Sequence, residues 1–189
     1  MPRAGLSRQR LARAGAQMAD EVGFDQVTVS ALARRFGVKA ASLYSHLRGS
    51  RELKSAIALV ALEEMADRAD EAVAGRSGRE ALFALADVYR DYARQHPGRY
   101  AAAQYRLDAD TAARSAGPRH TRAARAVLRG YELPESEHTH AVRLLGGLLH
   151  GYVSLEAGGS FSHSPPGTEQ SWQRARQGLD ALLRNRPAP

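Results

Sequence analysis

Four side chains within ten residues, Lys39, Tyr44, His46 and Arg48, are able to meet a phosphate oxygen, the two bases by charge and the phenol and imidazole as hydrogen-bond donors. They lie in the stretch GVKAASLYSHLRGSREL, Gly37 to Leu53, beside Ala40, Ala41, Ser42 and Ser45, whose small side chains would let a helix approach base edges closely. An ordinary solvated helix would carry glutamate and lysine there, yet no acid occurs in the twenty-six residues between Asp25 and Glu52. Charge along the chain points the same way. Residues 1–54 hold ten bases against four acids, which accounts for nearly all of the formal net charge of +7. A basic head on a nearly neutral body is the footprint of a polyanion partner, although an arginine-rich composition also follows from genomic base bias.

Other chemistries find little support. There is no cysteine, so disulfide and thiolate chemistry are excluded. His138 and His140 are two residues apart and fall on different faces of a helix, and no cluster of carboxylates completes a metal site around them. His150, in a glycine-rich helix, reads as a core histidine before it reads as a ligand to anything. No Gly-x-Ser-x-Gly, phosphate-binding glycine loop or HExxH occurs, so no catalytic residue, metal or cofactor is expected and the chain is not read as an enzyme. With no run of about twenty apolar residues and no apolar core in MPRAGLSRQR, the expectation is a soluble cytoplasmic protein with no membrane partner.

The elements that must carry these residues are helices throughout. Apolar residues recur at three and four residue spacing and no alternating strand pattern is present, so the fold class is all-α. A first helix from Ser7 to Val22 presents Leu11, Ala14, Gly15, Met18 and Val22, and Gly23 stops it. Thr28 caps a short second helix with an inner face of Val29, Leu32, Ala33 and Phe36, which Gly37 ends. A third runs from Lys39 or Ala40 to Leu47, with Ala40, Leu43 and Leu47 inward, Tyr44 on the flank, and Ala41, Ser42 and Ser45 outward. Two helices joined by the Gly37-Val38-Lys39 turn have helix-turn-helix spacing, in which the second helix enters the major groove of DNA. A fourth helix, from Ser50 or Arg51 to about Val73, is long enough to join head to body, and Ala74 to Gly78 punctuates the chain before a capping box at Ser77-Gly-Arg-Glu80. Further helices are expected up to His96-Pro97, over Tyr100 to Leu107, over Pro118 to Arg129, from Pro134 to Glu156 with a stripe of Ala141, Leu145, Leu148, Tyr152 and Leu155, and from Thr168 to Arg184 with Trp172, Ala175, Leu179 and Leu182 inward. Gly158 to Gly167 is a loop, and the final RNRPAP is expected to fray.

The run TVSALARRFGVKAASLYSHLRGSREL, Thr28 to Leu53, with Glu21-Val-Gly-Phe24 before it, resembles the DNA-binding head of the tetracycline-repressor-like (TetR) family of bacterial transcription regulators. The likeness spans roughly residues 11–57 and rests on the ordered pairs Gly-Phe, Thr-Val, Leu-Ala, Gly-Val, Leu-Tyr and His-Leu. It implies a homodimer that binds a palindromic double-stranded DNA operator, blocks transcription, and lets go when a small-molecule inducer enters the larger domain. Carried over by position, Thr28, Tyr44 and His46 contact phosphates, Ala40, Ala41, Ser42 and Ser45 face base edges, and Arg48 lies where the backbone passes. Ser50, capping the fourth helix, offers that helix N-terminus to a phosphate. Two positions depart from the family. Lys39 stands where serine is common, which removes the usual cap of the third helix and puts a long cation within reach of a phosphate or a guanine; Ala19 stands where phenylalanine is common, which shrinks the head core unless Met18 or Phe36 compensates.

On this reading residues 1–54 form the helix-turn-helix domain and residues 55–189 a ligand-binding and dimerisation domain. Within the latter, GGLLHGYVSLEAGG, Gly146 to Gly159, and Gln95-His-Pro-Gly-Arg-Tyr100 resemble a TetR subgroup marked by a tryptophan-His-Gly run, the tryptophan position being taken here by Leu149 or a neighbour. The family pairs subunits through the last two long helices, and the stripes through Leu148 and Trp172 suit that role, the alternative being burial within the monomer. Phe83, Tyr89, Tyr92, Tyr100, Tyr105 and His150 are candidates for a small-molecule pocket, of which two or three are expected to line it while the rest are core. A different class of protein stays open at this point: a helical small-molecule-binding protein whose basic head meets RNA or an anionic surface.

Overall fold

Helix starts are set by side chains that accept the first orphan amides. In the computed structural model, which describes residues 5–185, Ser7 is extended and accepts from the Arg10 amide at 3.2 Å, opening α1, Arg8–Val22. Thr28 does the same for α2, Val29–Arg35, accepting from Ala31 at 3.1 Å. The remaining helices are α3 (Ser50–Val73), α4 (Gly78–Gln95), α5 (Pro97–Ala103), α6 (Ala109–Ala113), α7 (Gly117–Leu128), α8 (Glu135–Ala157) and α9 (Thr168–Arg184), with single 3-10 turns at Phe24–Gln26 and Ala40–Ser42. No strand occurs among the described residues, so the all-α expectation holds. Arg186 to Pro189 of the tail expected to fray lie outside the described residues.

The helices sort into two compact units. The first comprises residues 1–64 and 95–116, and the second residues 65–94 and 117–189. Residues 95–116, placed by the sequence reading in the second domain, pack in the first unit because α5 lies directly on α1. A Cβ built on Gly98 would sit 1.9 Å from the Ala19 carbonyl oxygen, so the two backbones touch and only glycine fits. Ala19 is fully buried under this contact. Asp20 ties the same joint by accepting from the Arg99 amide at 2.9 Å.

The first unit's core is Leu11, Met18, Phe24, Val27, Val29, Leu32, Leu43, Leu47, Leu53 and Ile57, closed by Ala102 of α5. Val22 does not join it and is 52% exposed, because the turn after Gly23 sends Phe24 inward instead. Tyr105 packs its ring edge-on against Phe24, centroids 5.8 Å apart.

The second unit combines an apolar core with buried charge. In α8 the inner stripe is Ala141, Leu145, Leu149 and Val153, not the expected line through Leu148 and Leu155, and Leu155 is 51% exposed. In α9, Trp172, Leu179 and Leu183 are buried while Leu182 is exposed. Arg90 of α4, buried, grips Glu156 with two hydrogen bonds of 2.8 and 2.6 Å and reaches Glu169 at 2.7 Å. The hydrogen bonds from Arg90 hold the Glu156 carboxyl below the usual range. Asp87 accepts from the Trp172 indole at 2.7 Å and from Arg176 at 2.5 Å, and Tyr131 donates to Asp180 at 2.7 Å.

Candidate nucleic-acid interface

The segment after α2 is the surface singled out by its chemistry. Gly37 adopts φ +64°, the left-handed conformation the turn needs, and the Val38 amide closes back on Ala33 at 3.1 Å. The expected third helix is a series of tight turns: Ala40–Ser42 is 3-10, and the amides of Leu43 and His46 bond three residues back to Ala40 and Leu43. Two local causes are visible. Lys39 supplies no side-chain cap to the first amides, and the Ser45 hydroxyl donates to the Ser42 carbonyl at 2.9 Å, competing with regular helix bonding.

The segment is nonetheless fixed, because Leu43 and Leu47 are buried to 0% and 1% exposure in the head core. Each such leucine contributes about 1.5–3 kcal/mol of burial. What they hold outward is the set read from the sequence: Lys39, Ala41, Ser42, Tyr44, Ser45 and Arg48 are exposed, and Ala40 and His46 are half-buried. Tyr44, 56% exposed, is an unusual place for an aromatic ring unless something covers it. Thr28 is exposed at the α2 start, its oxygen occupied by the Ala31 amide, which leaves its hydroxyl proton to donate. Ser50 is the first residue of α3 and not its cap; Gly49 holds the cap position, its carbonyl accepting from Leu53 at 3.1 Å.

The head's few carboxylates are drawn into pairs of their own. Glu21 chelates Arg35 at 2.6 and 2.9 Å, and that hydrogen bonding lowers the Glu21 pKa. Asp20 meets Arg99 at 3.0 Å, Asp25 meets Lys54 at 3.3 Å, and Glu52 accepts from the Arg48 amide at 2.6 Å while facing Arg8 at 3.2 Å. Among the described residues the side chains of Lys39 and Arg48 have no carboxylate partner, so their charge is directed at solvent or at a partner. Sequence reasoning missed Arg10, which lies over the Phe36 ring at 5.5 Å and lines a shallow depression with Phe36, Val38, Ser42, Ser45 and His46. Its signal was present: Arg10 is the third residue beyond the Ser7 cap, at the end of α1 where the basic cluster begins.

The ligand candidates are dispersed. Tyr89 and His150 come together in the second unit, rings stacked at 5.5 Å, on a cavity of about 120 Å³. Phe83 is sandwiched by Arg79 and Arg176, and Tyr92 is buried under Arg68. Tyr100 and Tyr105 belong to the first unit. His120, which sequence reasoning did not select, bonds Tyr89 at 2.9 Å; it lies three, four and seven residues before the buried Ala123, Ala124 and Val127 of α7, a signal the periodicity carried.

These features match known proteins. Residues 11–57 fit the family model of bacterial regulatory proteins, tetR family, and residues 82–179 fit that of the tetracyclin repressor-like C-terminal domain. The chain is 33% identical to the HTH-type transcriptional regulator Rv0681 of Mycobacterium tuberculosis, covering 82% of this chain and 72% of that protein. It is 29% identical to the HTH-type transcriptional regulator YobS of Bacillus subtilis, covering 97% and 96%. A TetR variant from Acinetobacter baumannii AYE, solved in complex with minocycline, shares the fold with a TM-score of 0.65 at 21% identity, covering 95% of each chain. The chain therefore belongs to the TetR family, and it is a DNA-binding transcriptional regulator with a helix-turn-helix head. The matches carry the family and not the finer tryptophan-His-Gly subgroup.

Proposed function

We propose that this regulator is a cytoplasmic, non-enzymatic repressor that binds a palindromic operator as a homodimer and is released when a small molecule enters its second unit. One observation carries the operator half: a small-residue face, Ala41, Ser42 and Ser45, stands exposed between Lys39, Tyr44 and Arg48 while Leu43 and Leu47 anchor it from behind. Bulky side chains there would hold the segment off the bases. None of Ala40, Ala41, Ser42 and Ser45 has the forked donors that read guanine or adenine in pairs, so phosphate contacts dominate affinity and specificity leans on Lys39, DNA shape and half-site spacing. Binding is then steeply salt dependent, with a log–log slope of roughly −0.9 per phosphate neutralised.

Pairing through α8 and α9 is supported by Leu155 and Leu182, both more than half exposed, one on each of these helices. Release by a ligand is supported by the cavity at Tyr89 and His150, and the minocycline complex of the Acinetobacter relative is a precedent for that protein.

A gel shift against DNA flanking the protein's own gene, with nonspecific competitor, tests the operator half. Saturable binding to one symmetric site is the expected result; equal binding to every fragment would remove the repressor reading. A solution mass near twice 20.5 kDa at micromolar concentration is expected for the dimer.

A further inference from the structure

The cavity of the second unit has a chemistry more specific than "small molecule". Leu85 and Tyr89 of α4, His120 of α7, and Val142, Leu149 and His150 of α8 form most of its wall. No lysine, arginine, aspartate or glutamate is among its lining residues. Three polar aromatic groups are nevertheless built into it: the Tyr89 hydroxyl lies 2.9 Å from His120 Nδ1, and the Tyr89 ring stacks on His150 with planes 21° apart. Tyr89 is 6% exposed and His120 half-buried, so the tyrosine hydroxyl is kept where a leucine or phenylalanine would sit at lower desolvation cost.

We propose that this cavity binds an uncharged single-ring aromatic molecule bearing one hydroxyl or comparable hydrogen-bonding group, its ring against the aliphatic wall and its polar group joining the Tyr89–His120 pair. The inference rests on the ligand-released reading above and names the ligand's class.

Size sets the first limit. A cavity of about 150 Å³ lined by apolar side chains accepts benzene, and 120 Å³ is of the same order, which excludes fused multi-ring compounds without rearrangement. Charge sets the second. An ionised ligand would find no carboxylate, lysine or arginine among the lining residues, and burial together with the neighbouring His120 keeps His150 below the ordinary imidazole value, which disfavours a charge on that ring. Hydrogen bonding sets the third: a phenolic hydroxyl both donates and accepts, and so fits a tyrosine–imidazole pair in either tautomer.

Phenol, benzene and benzoate are the probes, titrated calorimetrically into the full-length protein at pH 7.5 without DNA. Phenol is expected to bind at least about tenfold tighter than benzoate, the penalty for an unpaired buried charge. His120→Leu is expected to weaken phenol about fivefold, the worth of one hydrogen bond, and to leave benzene unchanged. Gly146→Leu fills the cavity from its wall, since a Cβ there meets nothing within 4 Å, and is expected to abolish binding of both while the variant melts cooperatively. Absence of phenol binding, benzoate binding as tightly as phenol, or equal weakening of phenol and benzene by His120→Leu would each overturn the proposal. A gel shift on the same protein separates the two readings. Operator binding with no phenol binding sinks the cavity proposal alone, and phenol binding with no operator preference sinks the operator reading alone.

Discussion

The two units handle polar groups in opposite ways. In the first, an apolar core runs from Leu11 to Ala102, and the charged residues pair at its margin, as Asp20 and Arg99 do, or stay exposed without a carboxylate partner, as Lys39 and Arg48 do. In the second, Arg90 is 3% exposed and Asp180 7%, and tryptophan, tyrosine and histidine hydrogen bonds thread the core. An apolar interior with a close backbone joint makes a stiff platform whose outer face is free to be selected for contact with a polyanion. A core assembled from charged and aromatic hydrogen bonds has directional partners, so a bound molecule that alters one partner alters the arrangement of others.

The sharpest way to break this contrast is Gly98→Ala. The added methyl meets the Ala19 backbone at 1.9 Å, and neither partner is a flexible side chain that can yield. The loss should exceed the ~1–3 kcal/mol of ordinary overpacking, and a thermal melt followed by operator binding should show the head failing first. The counterpart in the second unit is Arg90→Met, which leaves the half-buried Glu156 without its guanidinium partner and should cost up to about 3 kcal/mol, the low end for a broken buried pair. Adding Glu156→Leu should restore much of that loss in denaturant titrations, because the penalty lies in the orphaned charge. If the double variant stays as unstable as the single one, the ion pair is part of the packing and the contrast weakens.

Acidification gives a smaller effect, in which the second unit takes part through His150. His150 is held neutral in the folded protein below its ordinary pKa of about 6.5, so the unfolded chain takes up a proton first as pH falls. Stability should therefore decline as pH drops from 7.5 through about 6.5, and the decline in melting temperature should be shallower in His150→Phe. Smallest in stability is Lys39→Ala. Exposed and without a carboxylate partner, it should shift folding by less than about 0.5 kcal/mol. It should reduce the salt slope of operator binding by about one if Lys39 meets a phosphate, or relax selectivity at one base pair if it reads a guanine.

Local chemistry was legible in the sequence where it acts locally. The Ser7 and Thr28 caps, the Gly37 turn, the anchoring of Leu43 and Leu47, and the bounds of α8 and α9 to within a residue all follow from neighbours a few positions apart. The extent of the first unit did not, because the α5 contact depends on Gly98 meeting Ala19 about eighty residues away in sequence, and nothing near Gly98 announces it. The same non-local contact places Tyr100 and Tyr105 in the first unit. The face of α8 was misassigned for another reason: leucines at 144, 145, 148, 149 and 155 ring the helix, so periodicity alone cannot choose between the line that enters the core and the one left outside. The third helix was overextended because apolar spacing does not register the missing cap at Lys39.

The chain passes between its two units three times, at residues 64/65, 94/95 and 116/117. Regulators of this kind are often pictured as a reader and a sensor joined end to end, so that evolution could exchange either by a single recombination event. Here a graft ending at residue 54 would carry the Thr28–Arg48 surface into its new host but leave behind α5, whose glycine was fitted to this α1. A transplanted head would have to find a matching α5 in the recipient's own middle segment. Point changes on the Lys39–Arg48 surface leave that joint untouched.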